Sequence, residues 1–224
     1  MAASPHVVHR HQVVLFDLDG TISDNSEGIS TGMLKALNHF GINDVTATDA
    51  RAVIGPPLRG VFADWGITES RLDEAVEVYR VYYRELGWKA NVLYDGVAEL
   101  IADLARAGRT VATATSKPDV FAEKILDRFG LIPHLAYVGA ATLDATRTHK
   151  VEVVRHTLNH LAVEPSDAVM IGDRFHDVEG AREAGVEAVV GVTWGFGDRA
   201  ELEAAGATTI VDTATQLRAV LGLG

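Results

Sequence analysis

The sequence predicts an α/β protein, a parallel sheet flanked by helices, with a helical segment inserted after its first strand. Three observations carry that expectation. An apolar run, Val13-Val14-Leu15-Phe16, ends in two carboxylates one residue apart, Asp17 and Asp19. From Tyr94 onward helical and strand-like stretches alternate, as they do where crossovers join parallel strands. Between Asp24 and Ala90 the periodicity stays helical and no strand-like alternation occurs.

The elements follow in order. After the first strand, Asp24 or Ser26 can cap a helix through Met33, Leu34 and Leu37 to Phe40, with Gly41 as its stop. A second helical stretch near Arg51 to Trp65 is broken by Gly55-Pro56-Pro57, and a third runs from about Ser70 to Leu86 with Leu72, Val76, Tyr79 and Tyr83 on one face. Then come a helix near Val97 to Ala107, a buried strand Thr110 to Ala114, and a helix near Asp119 to Phe129 that ends at Gly130. Further strands fit Ala136 to Gly139, Ala168 to Ile171, Ala188 to Val192 and Thr209 to Val211, with helices between them and a last one near Ala214 to Leu221. The division this implies is a core of residues 1–24 and 91–224 around a helical domain of residues 25–90.

Composition narrows the chemistry. The 224 residues include no cysteine, so disulfides, thiolate metal sites and cysteine nucleophiles are excluded. A formal charge of −11 makes a nucleic-acid polymer or an anionic membrane an unsuitable default partner, without excluding small anions. No apolar run approaches a membrane span, and Met1 to Gln12 lacks a stretch of signal-peptide length, so a cytoplasmic protein is expected. His6, His9 and His11 read as a solvated tail.

The chemistry gathers at strand ends, where open α/β sheets bind their ligands. Phe16-Asp17-Leu18-Asp19-Gly20-Thr21 offers one acid to attack, a second to shuttle a proton, and a pair able to hold a divalent metal; Gly20 permits the turn and Thr21 supplies a hydroxyl. Thr115-Ser116-Lys117-Pro118 after the second long strand is an anion cradle: the Thr115 hydroxyl and the Ser116 N–H can donate to a phosphate, unless Ser116 serves only to cap the next helix. Lys150, two residues past a capping Thr148, places a cation where it opposes the helix dipole, which an amine reaching the same phosphate would explain. Gly172-Asp173-Arg174-Phe175-His176-Asp177 adds two acids four apart, a hard-oxygen set that suits Mg²⁺.

Taken in series, Asp17-x-Asp19-Gly-Thr, Thr115, Lys150 and Gly172-Asp173-x-x-x-Asp177 resemble the four motifs of the haloacid dehalogenase superfamily, in particular its phosphoglycolate phosphatases with a small helical cap inserted after the first motif. The resemblance runs from about Val13 to Leu221 and implies a Rossmann-like core. It implies that Asp17 is a nucleophile forming an aspartyl-phosphate and Asp19 the general acid and then base. Asp17, the backbone carbonyl of Asp19, and Asp173 would hold Mg²⁺ with Asp177 in support, while Thr115, Ser116 and Lys150 hold the phosphoryl group. The acid at position 19 argues against the dehalogenase branch.

The substrate is a small phosphomonoester on this reading, and its identity is less legible. Arg59 is the candidate for a cap contact with a second anionic group, and Arg174 and His176 are similar to a nucleotidase-like subset, which makes a 5′-nucleotidase the chief alternative. A phosphosugar mutase would share all four motifs, and a non-catalytic phospho-ligand module would keep only the fold. Phe62, Trp65 and Trp88 read as cap core. His156 and His160 have the spacing of a metal pair without a glutamate between them, and Trp194, in Gly-Val-Thr-Trp-Gly-Phe-Gly, is expected to pack under a glycine-rich turn or line the mouth of the site. A monomer or homodimer is expected.

Overall fold

Four consecutive apolar residues leave a strand no polar face for water, and Val13–Phe16 (β1) is buried from end to end. The computed structural model describes residues 10–54, 58–144 and 146–223. After β1 the chain runs through β2 (Ser23–Asp24), α1 (Ser26–His39), α2 (Ala47–Ala52), α3 (Leu58–Asp64), α4 (Leu72–Glu85) and β3 (Val92–Leu93). It continues with α5 (Val97–Arg106), β4 (Thr110–Pro118), α6 (Asp119–Arg128), β5 (Tyr137–Ala141), α7 (Lys150–Leu161) and β6 (Ala168–Gly172). The last elements are α8 (Phe175–Glu183), β7 (Ala188–Val192), α9 (Arg199–Ala205), β8 (Thr209–Val211) and α10 (Ala214–Val220).

Six strands form one sheet in the order β5-β4-β1-β6-β7-β8, all pairs parallel. Numbered by their own succession these strands read 3-2-1-4-5-6, the doubly wound Rossmann order, whose ligand crevice opens where the chain reverses direction beside the first strand. The expected α/β class and parallel sheet are therefore present. Leu15, Ala114, Met170 and Val189 of the sheet share one buried cluster with Val154 and Leu158 of α7. Burying side chains of this size contributes roughly 1.5–3 kcal/mol each, which fixes the strand ends from below.

The chain divides into two units, one formed by the residues up to Ser23 and from Leu93 onward, the other by Asp24–Val92. The chain passes between them in β2 and β3, which pair as a two-stranded ribbon. Within the second unit α1 packs on α4, where Gly32 leaves room for the Tyr79 ring and Leu72, Ala75, Tyr79 and Tyr83 are buried. The expected break at Gly55-Pro56-Pro57 lies outside the described residues, as do His6 and His9; α2 and α3 stand on either side of that break. Asp24 does serve the start of α1, its carboxylate accepting from the Ser26 N–H at 2.8 Å.

β4 departs from expectation by continuing to Pro118 rather than ending at Ala114. Its pairing with β5 shifts register between Thr115 and Pro118, and along this extension Ser116 is exposed while Lys117 is buried. Ser116 consequently does not cap α6, whose N-terminal boundary residue is Pro118. Among the described residues no helix is long and apolar enough to cross a membrane.

Candidate active site

Register alone brings the first and fourth motifs together. Phe16 pairs with Thr113 on one side and Ile171 on the other, so Asp17 leaves β1 level with the ends of both neighbours. Its N–H donates to the Ile171 carbonyl at 2.9 Å, keeping the strand in step one residue past its formal end. Asp17, Asp173 and Asp177 converge there, each buried, with one carboxylate oxygen apiece within 4.8 Å of the others. The Asp19 carboxylate is not part of this cluster.

Lys150 spans the group from the first turn of α7. Its ammonium lies 2.8 Å from Asp17 Oδ1 and 2.7 Å from Asp177 Oδ1, and it donates to the Ala114 carbonyl at 2.9 Å. Gly180 on α8 makes the approach possible, because a side chain there would fall 2.6 Å from the Lys150 stem. The helix begins one residue later than expected: His149 is the boundary residue, and Glu152 caps the end by accepting from the N–H groups of Thr148 and His149 at 2.9 and 3.0 Å.

Burial and crowding set the charge balance. Burial pulls the Lys150 amine down, but Asp17 and Asp177 outweigh it and hold the group well above the ordinary lysine range. Burial also raises Asp177, to about 6, although Lys150 opposes the shift. Asp173 is raised well above the carboxylate range by burial and by its neighbours Asp177 and Asp17. Three buried carboxylates facing one ammonium are short of positive charge, and their hard oxygens fit a divalent cation rather than a soft metal.

The remaining expected residues fall around this centre. Asp19 sits in the turn after β1 and pairs through Oδ2 with Lys117 Nζ at 2.5 Å. Lys117 is a site residue that carries no role in the sequence-based expectation. The signal was its two-residue spacing from Thr115 on the inward face of an extended strand, hidden because the strand was expected to stop at Ala114. Thr115 is buried and its Oγ1 accepts from the Lys117 N–H at 3.1 Å, which leaves the hydroxyl proton to donate. Thr21 donates to Asp173 Oδ1 at 2.9 Å, and the Phe196 N–H donates to Asp173 Oδ2 at 2.8 Å, a backbone contact that no residue type announces.

Other candidates are engaged elsewhere. Arg59, in the helical unit, holds Glu69 at 2.5 Å and also Asp73. Arg174 is fixed through Nε by Glu201 at 2.7 Å, while the same carboxylate oxygen accepts from the Phe175 N–H at 2.8 Å. His176 is exposed, with its pKa lowered by partial burial and by Arg174. His156 meets the Tyr137 hydroxyl at 2.9 Å and His160 stacks on the Tyr137 ring with centroids 3.8 Å apart, so the pair grips an edge-strand tyrosine.

Comparison with known proteins decides the family. The model of the haloacid dehalogenase-like hydrolases matches residues 14–191. The chain belongs to that family. A 5′-nucleotidase of Pseudomonas aeruginosa is 41% identical over 213 residues, covering 95% of this chain and 96% of that protein. The tyrosine-protein kinase PtkA of Mycobacterium tuberculosis is 40% identical over 214 residues, covering 95% of this chain and 73% of its own length. Among solved structures, a predicted phosphatase from Clostridium acetobutylicum superposes with a TM-score of 0.87 at 36% identity, covering 93% of this chain and 97% of that one. This haloacid dehalogenase-like hydrolase is thus a phosphatase by family, with the acidic cluster at the sheet edge where such a fold binds its ligand.

Proposed function

We propose that the chain is a Mg²⁺-dependent phosphatase that hydrolyses small phosphomonoesters through an aspartyl-phosphate on Asp17. The observation that carries the reading is the buried cluster of Asp17, Asp173 and Asp177 with Lys150 set between two of them. A carboxylate approaching a phosphate dianion meets repulsion of about 4 kcal/mol per charge pair at ~4 Å and an effective dielectric near ~20. Lys150 offsets part of that on the chain's own account. When bound, a divalent cation supplies further positive charge at the phosphoryl oxygens; Asp17, the Asp19 carbonyl and Asp173 are the residues to hold it, with Asp177 in support.

Each residue then has a task. Asp17 attacks phosphorus, and the phosphoryl group rests on the Thr115 hydroxyl, the Ser116 N–H and Lys150. Asp19 gives a proton to the departing oxygen and afterwards takes one from the attacking water, so one difficult hydrolysis becomes two easier steps. Asp19 is kept close to its work by Lys117. The helical unit serves as the cap that excludes water and meets the leaving group. Arg59 is the weakest of the assigned residues, since a substrate anion must displace Glu69 and Asp73 from it.

The 41% identity to a protein named 5′-nucleotidase favours nucleoside 5′-monophosphates as substrates, with phosphoglycolate beside them in the test. Phosphate release is to be measured on both, on hexose phosphates and on an aryl phosphate, with Mg²⁺ and with chelator. Asp17→Asn should lose at least roughly a thousandfold in rate while melting no lower than wild type, because it removes one of three crowded acids. Retained activity in that variant would overturn the mechanism. Incubation with ATP followed by detection of phosphotyrosine tests the transfer activity that the name of the Mycobacterium relative carries.

A further inference from the structure

We propose that the Trp194–Gly197 loop is a clamp for the metal site, and that Trp194 is a positioning residue acting through Thr21 on Asp173; the inference rests on the metal reading above. The two oxygens of Asp173 are held from two different segments. Oδ1 accepts from the Thr21 hydroxyl at 2.9 Å, in the turn after β1. Oδ2 accepts from the Phe196 N–H at 2.8 Å, in the loop after β7. Trp194 closes the circuit, its indole N–H donating 3.1 Å to the carbonyl of that same Thr21. The loop therefore grips Asp173 directly on one oxygen and, through Thr21, steadies the donor to the other.

The fit leaves no room for side chains. A Cβ on Gly195 would lie 2.3 Å from the Gly20 carbonyl and 2.4 Å from Asp173 Oδ2, and one on Gly20, whose φ is +87°, would lie 2.2 Å from the same oxygen. Two backbone segments thus close around one carboxylate. On its outer side the loop is tied down: the Thr193 hydroxyl and the Arg199 guanidinium both donate to Asp212 Oδ1 at 2.7 Å, and the Thr193 N–H donates to the Val211 carbonyl at 3.1 Å. The Tyr94 ring, 6.4 Å from the Trp194 ring, backs the indole. Each Asp173 oxygen keeps a lone pair beyond the bond it accepts, so the clamp orients the carboxylate without consuming it as a ligand.

Groups that hold a metal ligand in place tune metal affinity by about 10–100-fold. A loop that merely fills space would lower the melting temperature and leave that affinity alone. The test is calorimetric titration of the full chain with Mg²⁺, and with Mn²⁺ as a second probe, for wild type, Trp194→Phe and Gly195→Ala. Trp194→Phe keeps an aromatic ring but loses the N–H together with the second ring of the indole. It should weaken the metal Kd about three- to tenfold with an unchanged far-ultraviolet circular dichroism spectrum, and its kcat should recover at saturating metal. Gly195→Ala, which forces Asp173 aside, should weaken it by at least about tenfold. Trp194→Phe binding within about twofold of wild type overturns the clamp whatever Gly195→Ala does. If the wild-type chain binds neither ion, the metal reading fails and the clamp with it; normal wild-type binding with an unaffected Trp194→Phe removes the clamp alone.

Discussion

Replacing Lys150 by Met should destabilise the protein severely, and more at alkaline than at acid pH. Lys150 places one ammonium, 6% exposed, within 2.8 Å of Asp17 and 2.7 Å of Asp177. Removing one partner from a buried ion pair costs about 3–5 kcal/mol, because the other charge stays buried and uncompensated. Asp177 gives an independent measure. Moving a carboxyl from its ordinary 3.8 to about 6 already costs the ionised folded state about 3 kcal/mol with the lysine present. For a chain of this size, at about 2–4 °C per kcal/mol, the 3–5 kcal/mol loss is a fall in Tm of roughly 6–20 °C. The sign of the pH effect follows from linkage. A carboxyl whose folded pKa is raised favours the fold below its unfolded value and gives up that stability as pH climbs through the folded one. Without Lys150 that folded value moves higher still, so the window of loss widens upward. Near pH 5 Asp177 is largely protonated in either protein and the deficit is small; near pH 8 it is full. Thermal melts in chelator at both pH values measure it. An equal deficit at the two, or a larger one in acid, would refute the placement of Lys150 as the counter-charge of Asp177.

Divalent-metal affinity should decline as pH falls through about 6, since protons compete for Asp177 and for the raised Asp173, and titration in two buffers of different ionisation heat should show proton release on binding; a flat affinity from about pH 5 to about pH 8 would contradict this. Lys117→Met should lower kcat by about ten- to hundredfold while leaving metal affinity unchanged, because it frees the Asp19 carboxylate from its 2.5 Å anchor and misplaces the proton donor without touching the metal cluster. Steady-state kinetics at saturating metal separate that outcome from a general loss of folding.

What was legible in the sequence and what was not differ in physical kind. Strand cores and acids at strand ends write themselves in residue type: Val13-Val14-Leu15-Phe16 can only be a buried strand, and the acids that follow it and Ile171 must emerge at one edge once the strands are parallel neighbours. Lys150 was readable too, as a cation in an N-terminal helical turn whose unfavourable dipole needed an explanation. Lys117 was not, because its place on the inward face beside Thr115 follows only once the strand is known to run on to Pro118, and the sequence pattern alone ends it at Ala114. The Phe196 contact was further out of reach, since an N–H is common to nearly every residue and only the path of the loop selects this one. Yet the glycines beside it were visible. Gly20 and Gly195 stand 175 positions apart in the chain, and each is required where a backbone passes within contact of Asp173. A glycine flanking a motif is thus, beyond any turn it serves, the trace that a close approach leaves in a sequence, even when the approaching atom cannot be read.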